Sequence, residues 1–251
     1  AIEYAANQAQ EGKTTMILTS CGYMLNNIKD CLRDFGLTFH NPYRVTRSDW
    51  NPLGNFNPER GGKRITTRAR IIAFLNETLS VSGKPYWNMQ DLSRWLELVR
   101  IKGVLKKGAK EKIIEILDSQ AGMYSGSEED FYREIFEDFA LEKALDRNIP
   151  WFRSVLLAAK AKVVEYPLKI YEKHGLEALR SRPRIIIGTV HSVKGGEADN
   201  VILFPDVSLN AMTEYQKNRD PVIRTFYVGM TRARENLVIC RPVSDLCVKL
   251  H

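Results

Sequence analysis

Ile185-Ile-Ile-Gly-Thr-Val-His-Ser-Val-Lys-Gly-Gly-Glu-Ala-Asp-Asn-Val-Ile-Leu-Phe-Pro-Asp-Val207 reads as strand, tight polar loop, strand. Ile185, Ile186 and Ile187 run without a polar break, the pattern of a strand covered on both faces. Thr189 to Glu197 then concentrates Thr, His, Ser, Lys, two Gly and Glu. Asn200 to Phe204 returns to apolar, β-rich sequence. Open α/β sheets place their sites in loops of this chemistry at the ends of buried strands, although an ordinary surface loop has the same composition.

Downstream, Asp206 to Lys217 is loop or helix. Asp220-Pro221 then marks a helix start, with Asp as N-cap and Pro at the first helical position. Val222, Ile223, Phe226, Tyr227 and Met230 supply its buried stripe. After Thr231-Arg-Ala-Arg234, the run Asn236 to Cys240 reads as another buried strand. Upstream, Ala1 to Gln10 is a short helix and Thr15 to Leu18 a strand. Gly22 to Phe35 is an amphipathic helix with Met24, Leu25, Ile28, Leu32 and Phe35 on one stripe, stopped by Gly36. Gly12-Lys-Thr-Thr15 imitates a phosphate loop. That pattern requires a Gly five residues earlier, where Asn7 stands, and it follows a strand rather than preceding one. Asn41-Pro42 and Asn51-Pro52 mark turns, and Arg60, Lys63, Arg64, Arg68 and Arg70 form a basic cluster.

Between these halves the periodicity is helical: Leu92 to Ile101, Lys110 to Leu117, Glu128 to Leu145 and Trp151 to Tyr171. The expected organisation is one α/β domain formed by residues 1–80 and 183–251, interrupted by an all-α domain at 81–182. Ile101 to Ala109 faintly resembles a helix-hairpin-helix that binds a nucleic-acid backbone, with Leu105 in place of the usual second Gly. The acidic residues around Glu128 to Asp138 read as a solvated helix face.

The 251 residues carry 44% hydrophobic and 27% charged side chains, a globular composition. A net charge of +7 suits a polyanionic partner. Cys21, Cys31, Cys240 and Cys247 form no CxxC pair, and the histidines at 40, 174, 191 and 251 are scattered, so no metal site is expected. No apolar run approaches the roughly 20 residues that span a bilayer. Free thiols and the lack of such a run lead to the expectation of a cytoplasmic protein. The chain opens at Ala1 in what reads as the middle of a helix, the beginning expected of a fragment.

Two stretches together are specific. Thr189-Val-His-Ser-Val-Lys-Gly-Gly-Glu197 resembles motif V of the UvrD/Rep-type superfamily 1 DNA helicases, and Arg224 to Leu237 resembles their motif VI. Ile17 to Phe39 is similar to their motif IV region, and the helical block stands where that family inserts its accessory domain. The resemblance implies the C-terminal portion of a two-lobed motor. That portion is a RecA-like parallel-sheet domain without its own Walker A loop, interrupted by a helical insertion. Its expected partners are single-stranded and duplex DNA and an N-terminal RecA-like lobe. Its cofactor would be ATP with Mg2+, the magnesium ligands lying in that other lobe, so the fragment alone is expected to be inactive.

By the same resemblance, Arg232 is the catalytic arginine that reaches the γ-phosphate, where positive charge is needed as the bond breaks. Glu197 binds the nucleotide sugar, with Gly195 beside it, and Thr189 and His191 contact single-stranded DNA. Arg234 is the structural one of the two arginines. The sequence departs from the family at Gly196 and Ala198, which replace bulkier residues and suggest a looser loop. It departs again at Ser20, where motif IV carries a phosphate-touching arginine. An alternative reading is therefore a helicase-derived module that binds nucleic acid or a protein without hydrolysis.

Overall fold

The computed structural model describes residues 1–54, 65–76, 78–79, 85–118 and 128–250. In chain order the elements are α1 (Ile2–Gln10), β1 (Thr15–Thr19), α2 (Leu25–Asp34), β2 (Phe39–His40), α3 (Thr67–Leu75), β3 (Thr78–Leu79), β4 (Pro85–Tyr86), α4 (Met89–Leu96), α5 (Ala109–Asp118), α6 (Glu128–Ile135), α7 (Asp138–Leu145), α8 (Ile149–Val155) and α9 (Ala158–Arg180). There follow β5 (Ile185–Thr189), β6 (Ala198–Leu203), α10 (Leu209–Lys217), α11 (Asp220–Met230) and β7 (Ala233–Ile239). The chain divides into two compact units, Ala1–Pro58 with Ser181–His251, and Glu59–Arg180. The seam lies before residue 80 because α3 packs on α4 and α9 and so belongs with the helices.

The first unit is a mixed α/β body built on a five-stranded, all-parallel sheet in the order β2-β5-β1-β6-β7. β1 is at the centre and every residue of it is buried. β5 and β6 are consecutive strands yet flank β1, so the polar loop between them must cross it. Alternation divides the apolar side chains between the faces. Met16, Leu18, Ile186, Val201 and Leu203 join Val222 and Phe226 of α11 in one cluster, with Val190 and Val193 from the loop. Burying a side chain such as Phe226 contributes roughly 2–3 kcal/mol, so this cluster fixes where the loop lies. Gly12, at φ +82°, terminates α1: its N–H donates to Ala9 O and that of Lys13 to Gln8 O, a glycine-capped helix end rather than a phosphate loop.

Several expectations change. β7 is the edge strand of the sheet among the described residues rather than a buried strand, and Leu237 and Ile239 are 40% and 42% exposed. On α11, Val222, Phe226 and Gly229 face inward while Ile223 and Tyr227 are exposed. Asp220 is already helical and Arg219 is the N-cap residue. The segment from Gly22 begins as a 3-10 turn, and Phe35 lies outside the core.

The second unit surrounds an aromatic core in which Phe74 stacks on Phe152 at 4.1 Å between centroids and Trp95 stacks on Phe136 at 5.8 Å. It is not wholly helical, since β3 and β4 pair antiparallel. The expected helix over Glu128 to Leu145 breaks at Phe136, which forms a β-bridge with Leu105. The one expected over Trp151 to Tyr171 breaks at Leu156, bridged to Val99. Helix α4 stops at Leu96, short of the expected Ile101. In the hairpin-like segment, the amides of Val104 and Leu105 donate to Ile101 O and that of Lys106 to Ile135 O. Those donors are spent inside the protein. Arg60, Lys63 and Arg64 of the basic cluster lie outside the described residues. No helix among the described residues is long and apolar enough to cross a membrane.

Candidate functional site

The loop from Thr189 to Glu197 crosses from one end of the sheet to the other. Thr189 is level with Thr19 at the C-terminal end of β1, whereas Asn200 is level with Thr15 at its start. At about 3.3 Å per residue, those levels stand roughly 13 Å apart along the strands. The candidate residues therefore form two groups. Thr189 and His191 belong to the C-terminal end of β5. Glu197 and Arg232 belong to the N-terminal ends of β6 and β7, where Ala198 pairs with Ala233 and donates its N–H to Arg232 O at 3.0 Å.

At the first end the loop begins as a 3-10 turn, Val190–Val193. Thr189 caps it: its hydroxyl accepts the Ser192 N–H at 3.2 Å, and the Ser192 hydroxyl donates to Thr189 O at 2.8 Å. Val190, Ser192 and Val193 are buried, and His191 is left exposed at the surface of the turn. Beneath the turn lies fully buried Asn41, whose Nδ2 donates to Ile187 O at 2.7 Å and to Ser192 Oγ at 3.3 Å. Asn51 accepts the Asn41 N–H and donates to Arg44 O and Arg47 O. Beside them His40 is buried, and desolvation, reinforced by Arg182, pushes its pKa down to about 4. Ser20, also at this end, donates to Asp206 O at 2.7 Å.

At the second end Arg232 is half-buried. Its Nε donates to Val228 O at 2.9 Å, and its two Nη atoms donate to Gly196 O and Thr231 Oγ1, each at 3.3 Å. Those three bonds hold the side chain with neutral acceptors and leave two of the five guanidinium N–H donors. No carboxylate pairs with it among the described residues. Arg234 differs: its Nε donates to Glu197 Oε2 at 3.1 Å, and its Nη1 stands 4.0 Å from Asp199 Oδ1. Asp199 accepts both the N–H and the hydroxyl of Thr14 at 2.8 Å, and the backbone bond chiefly holds its carboxyl below the usual range.

Gly195 takes φ +84°, with open space where a Cβ would stand. Gly196 serves a different need. A Cβ there would collide with the Tyr43 hydroxyl and stand 2.7 Å from Tyr43 Cε2. The loop is thus not loosened by its small residue, because an aromatic ring from the segment after β2 fills the place. Asn41 and Tyr43 were not legible as site residues, since each acts on a loop about 150 positions away in sequence.

Chemically, the second end presents an arginine without a carboxylate partner and a carboxylate with one oxygen engaged. These can meet an anion and a hydroxyl-bearing group. The first end presents a hydroxyl and an imidazole on a rigid turn. Residues 185–240 match the family model of the UvrD-like helicase C-terminal domain, so the kinship read from Thr189–Glu197 and Arg224–Leu237 is borne out over that segment. No curated protein matches the chain.

Proposed function

We propose that this chain is the C-terminal motor portion of an ATP-dependent DNA helicase or translocase, with a RecA-like lobe and a helical insertion. Kinship to the helicase domain supports the class, and the state of Arg232 supports the role. Three neutral acceptors orient its guanidinium, and no acid among the described residues cancels its charge. A permanently charged, planar donor fork in that state suits the γ-phosphate oxygens as negative charge shifts during phosphoryl transfer. Glu197 would take the ribose and Gly195 would let the backbone approach it. Thr189 and His191, at the opposite end of the sheet, would contact a DNA strand through phosphate or base. The loop that joins them then links nucleotide state to grip on DNA.

ATP chemistry of this class uses Mg2+, whose ligands this reading assigns to the other lobe. The partners are that lobe and DNA, and the compartment is the cytoplasm. A non-hydrolysing module remains the rival reading because Ser20 supplies no cation and its hydroxyl is spent on Asp206 O. The test is Arg232→Ala in the full-length protein. DNA-stimulated ATPase is expected to fall by about 10³-fold or more, as when an arginine finger is lost. A near wild-type rate would remove Arg232 from this role.

A further inference from the structure

The function above leaves Arg234 without a task. Ala198 pairs with Ala233 across the parallel ladder, and Glu197 and Asp199 flank Ala198 two residues apart. That spacing puts both acids on one side of the chain, and Arg234, next to Ala233, reaches both. Asp199 is tied to β1 through Thr14, so Arg234 bridges a fixed carboxylate and the one at the end of the loop. Stability is a poor explanation for the bridge, because the Arg234 and Glu197 side chains are 60% and 54% exposed and such pairs contribute little. Geometry is a better one. Arg234 engages Oε2 of Glu197, and among the described residues Oε1 carries no hydrogen bond.

We propose that Arg234 is a positioning residue: it fixes the Glu197 carboxylate so that Oε1 accepts a ribose hydroxyl, and it thereby sets the preference for ribonucleoside over deoxyribonucleoside triphosphates. This rests on the reading of Glu197 given above. A glutamate side chain loses considerable rotamer freedom when ordered, and Arg234 imposes that order before the nucleotide arrives. Lysine would meet one carboxylate as a point charge but would not face Glu197 through Nε and Asp199 through Nη1 at once.

The experiment uses the full-length protein with Arg234→Ala, Arg234→Lys and Glu197→Gln, assayed for DNA-stimulated hydrolysis of ATP, 2′-deoxy-ATP and 3′-deoxy-ATP. For Arg234→Ala, KM for ATP is expected to rise about five- to tenfold, with kcat at saturating ATP within about twofold. Wild-type preference for ATP over at least one deoxy analogue should shrink toward unity, and Arg234→Lys should recover part of it. A purely structural arginine would lower the melting midpoint without moving that preference, which overturns the proposal. A lowered kcat at unchanged KM overturns it as well. If Glu197→Gln moves the preference and Arg234→Ala does not, the positioning role alone fails. If neither moves it, the sugar-binding reading of Glu197 fails first and takes the proposal with it.

Discussion

The two ends of the parallel sheet are built by opposite means. At the C-terminal end of β5, the turn that carries His191 stands on neutral, largely buried hydrogen bonds that Asn41 and Ser192 donate, with Asn51 accepting from Asn41. At the N-terminal ends of β6 and β7, Arg232, Arg234, Glu197 and Asp199 act as charges, most of them near solvent. The first construction fixes shape and tolerates little change in volume. The second exposes charge and adds little to folding. A loop with one foot in each can keep its course across the sheet while its charged end stays open to a ligand, which under the proposed function is a nucleotide.

The strongest way to break this contrast is Gly188→Ala. The new methyl would collide with Ser192 Oγ and stand 2.7 Å from Asn41 Nδ2, both buried and fixed by their bonds. Overpacking of this kind should cost about 3 kcal/mol, read as a lower urea midpoint. An unchanged midpoint would mean that the buried end yields more easily than its contacts imply.

Next in size is a pH effect at the same end. His40 is held at about 4 in the folded protein against an ordinary 6.5, so the unfolded chain binds the extra proton between those values. Stability from this group is full above about pH 6.5 and is lost as pH falls toward 4. At pH 4.5 the loss should be about 2.5 kcal/mol, and His40→Gln should show a shallower decline than the wild type. Parallel declines would remove His40 as the cause.

The smallest effect belongs to the charged end. Lys13 and Glu235 pair at 2.7 Å with side chains 37% and 46% exposed. The hydrogen bond that Lys13 donates to Glu235 raises the lysine pKa, yet screening leaves little net stabilisation. Lys13→Met should move the melting midpoint by no more than about 1 °C. A shift of several degrees would show that this end also bears on folding.

Much of this was legible in the sequence, and what escaped did so for physical reasons. The three isoleucines of β5 marked the strand because burial on both faces leaves an unbroken apolar run. The run Asn236–Cys240 looked equally buried, but composition does not distinguish a central strand from an edge, and only the order β2-β5-β1-β6-β7 puts β7 at the edge among the described residues. Helical periodicity continued through Phe136 because its side chain belongs to the core whether the backbone is helical or bridged to Leu105. The motif around Arg232 was visible, yet the carbonyl partners of that arginine were not, since a backbone acceptor has no signature in sequence. Asn41-Pro42 signalled a turn and nothing more. That Asn41 braces β5 depends on a pairing 146 residues distant.

The most direct test of the account is turnover by the full-length Arg232→Ala protein at saturating ATP and DNA, beside the wild type and with melting midpoints matched. A fall in kcat of about 10³-fold or more with nucleotide affinity largely kept is the predicted result if, as proposed, the guanidinium acts on the charge of the transition state. A kcat within a few fold of the wild type would contradict it.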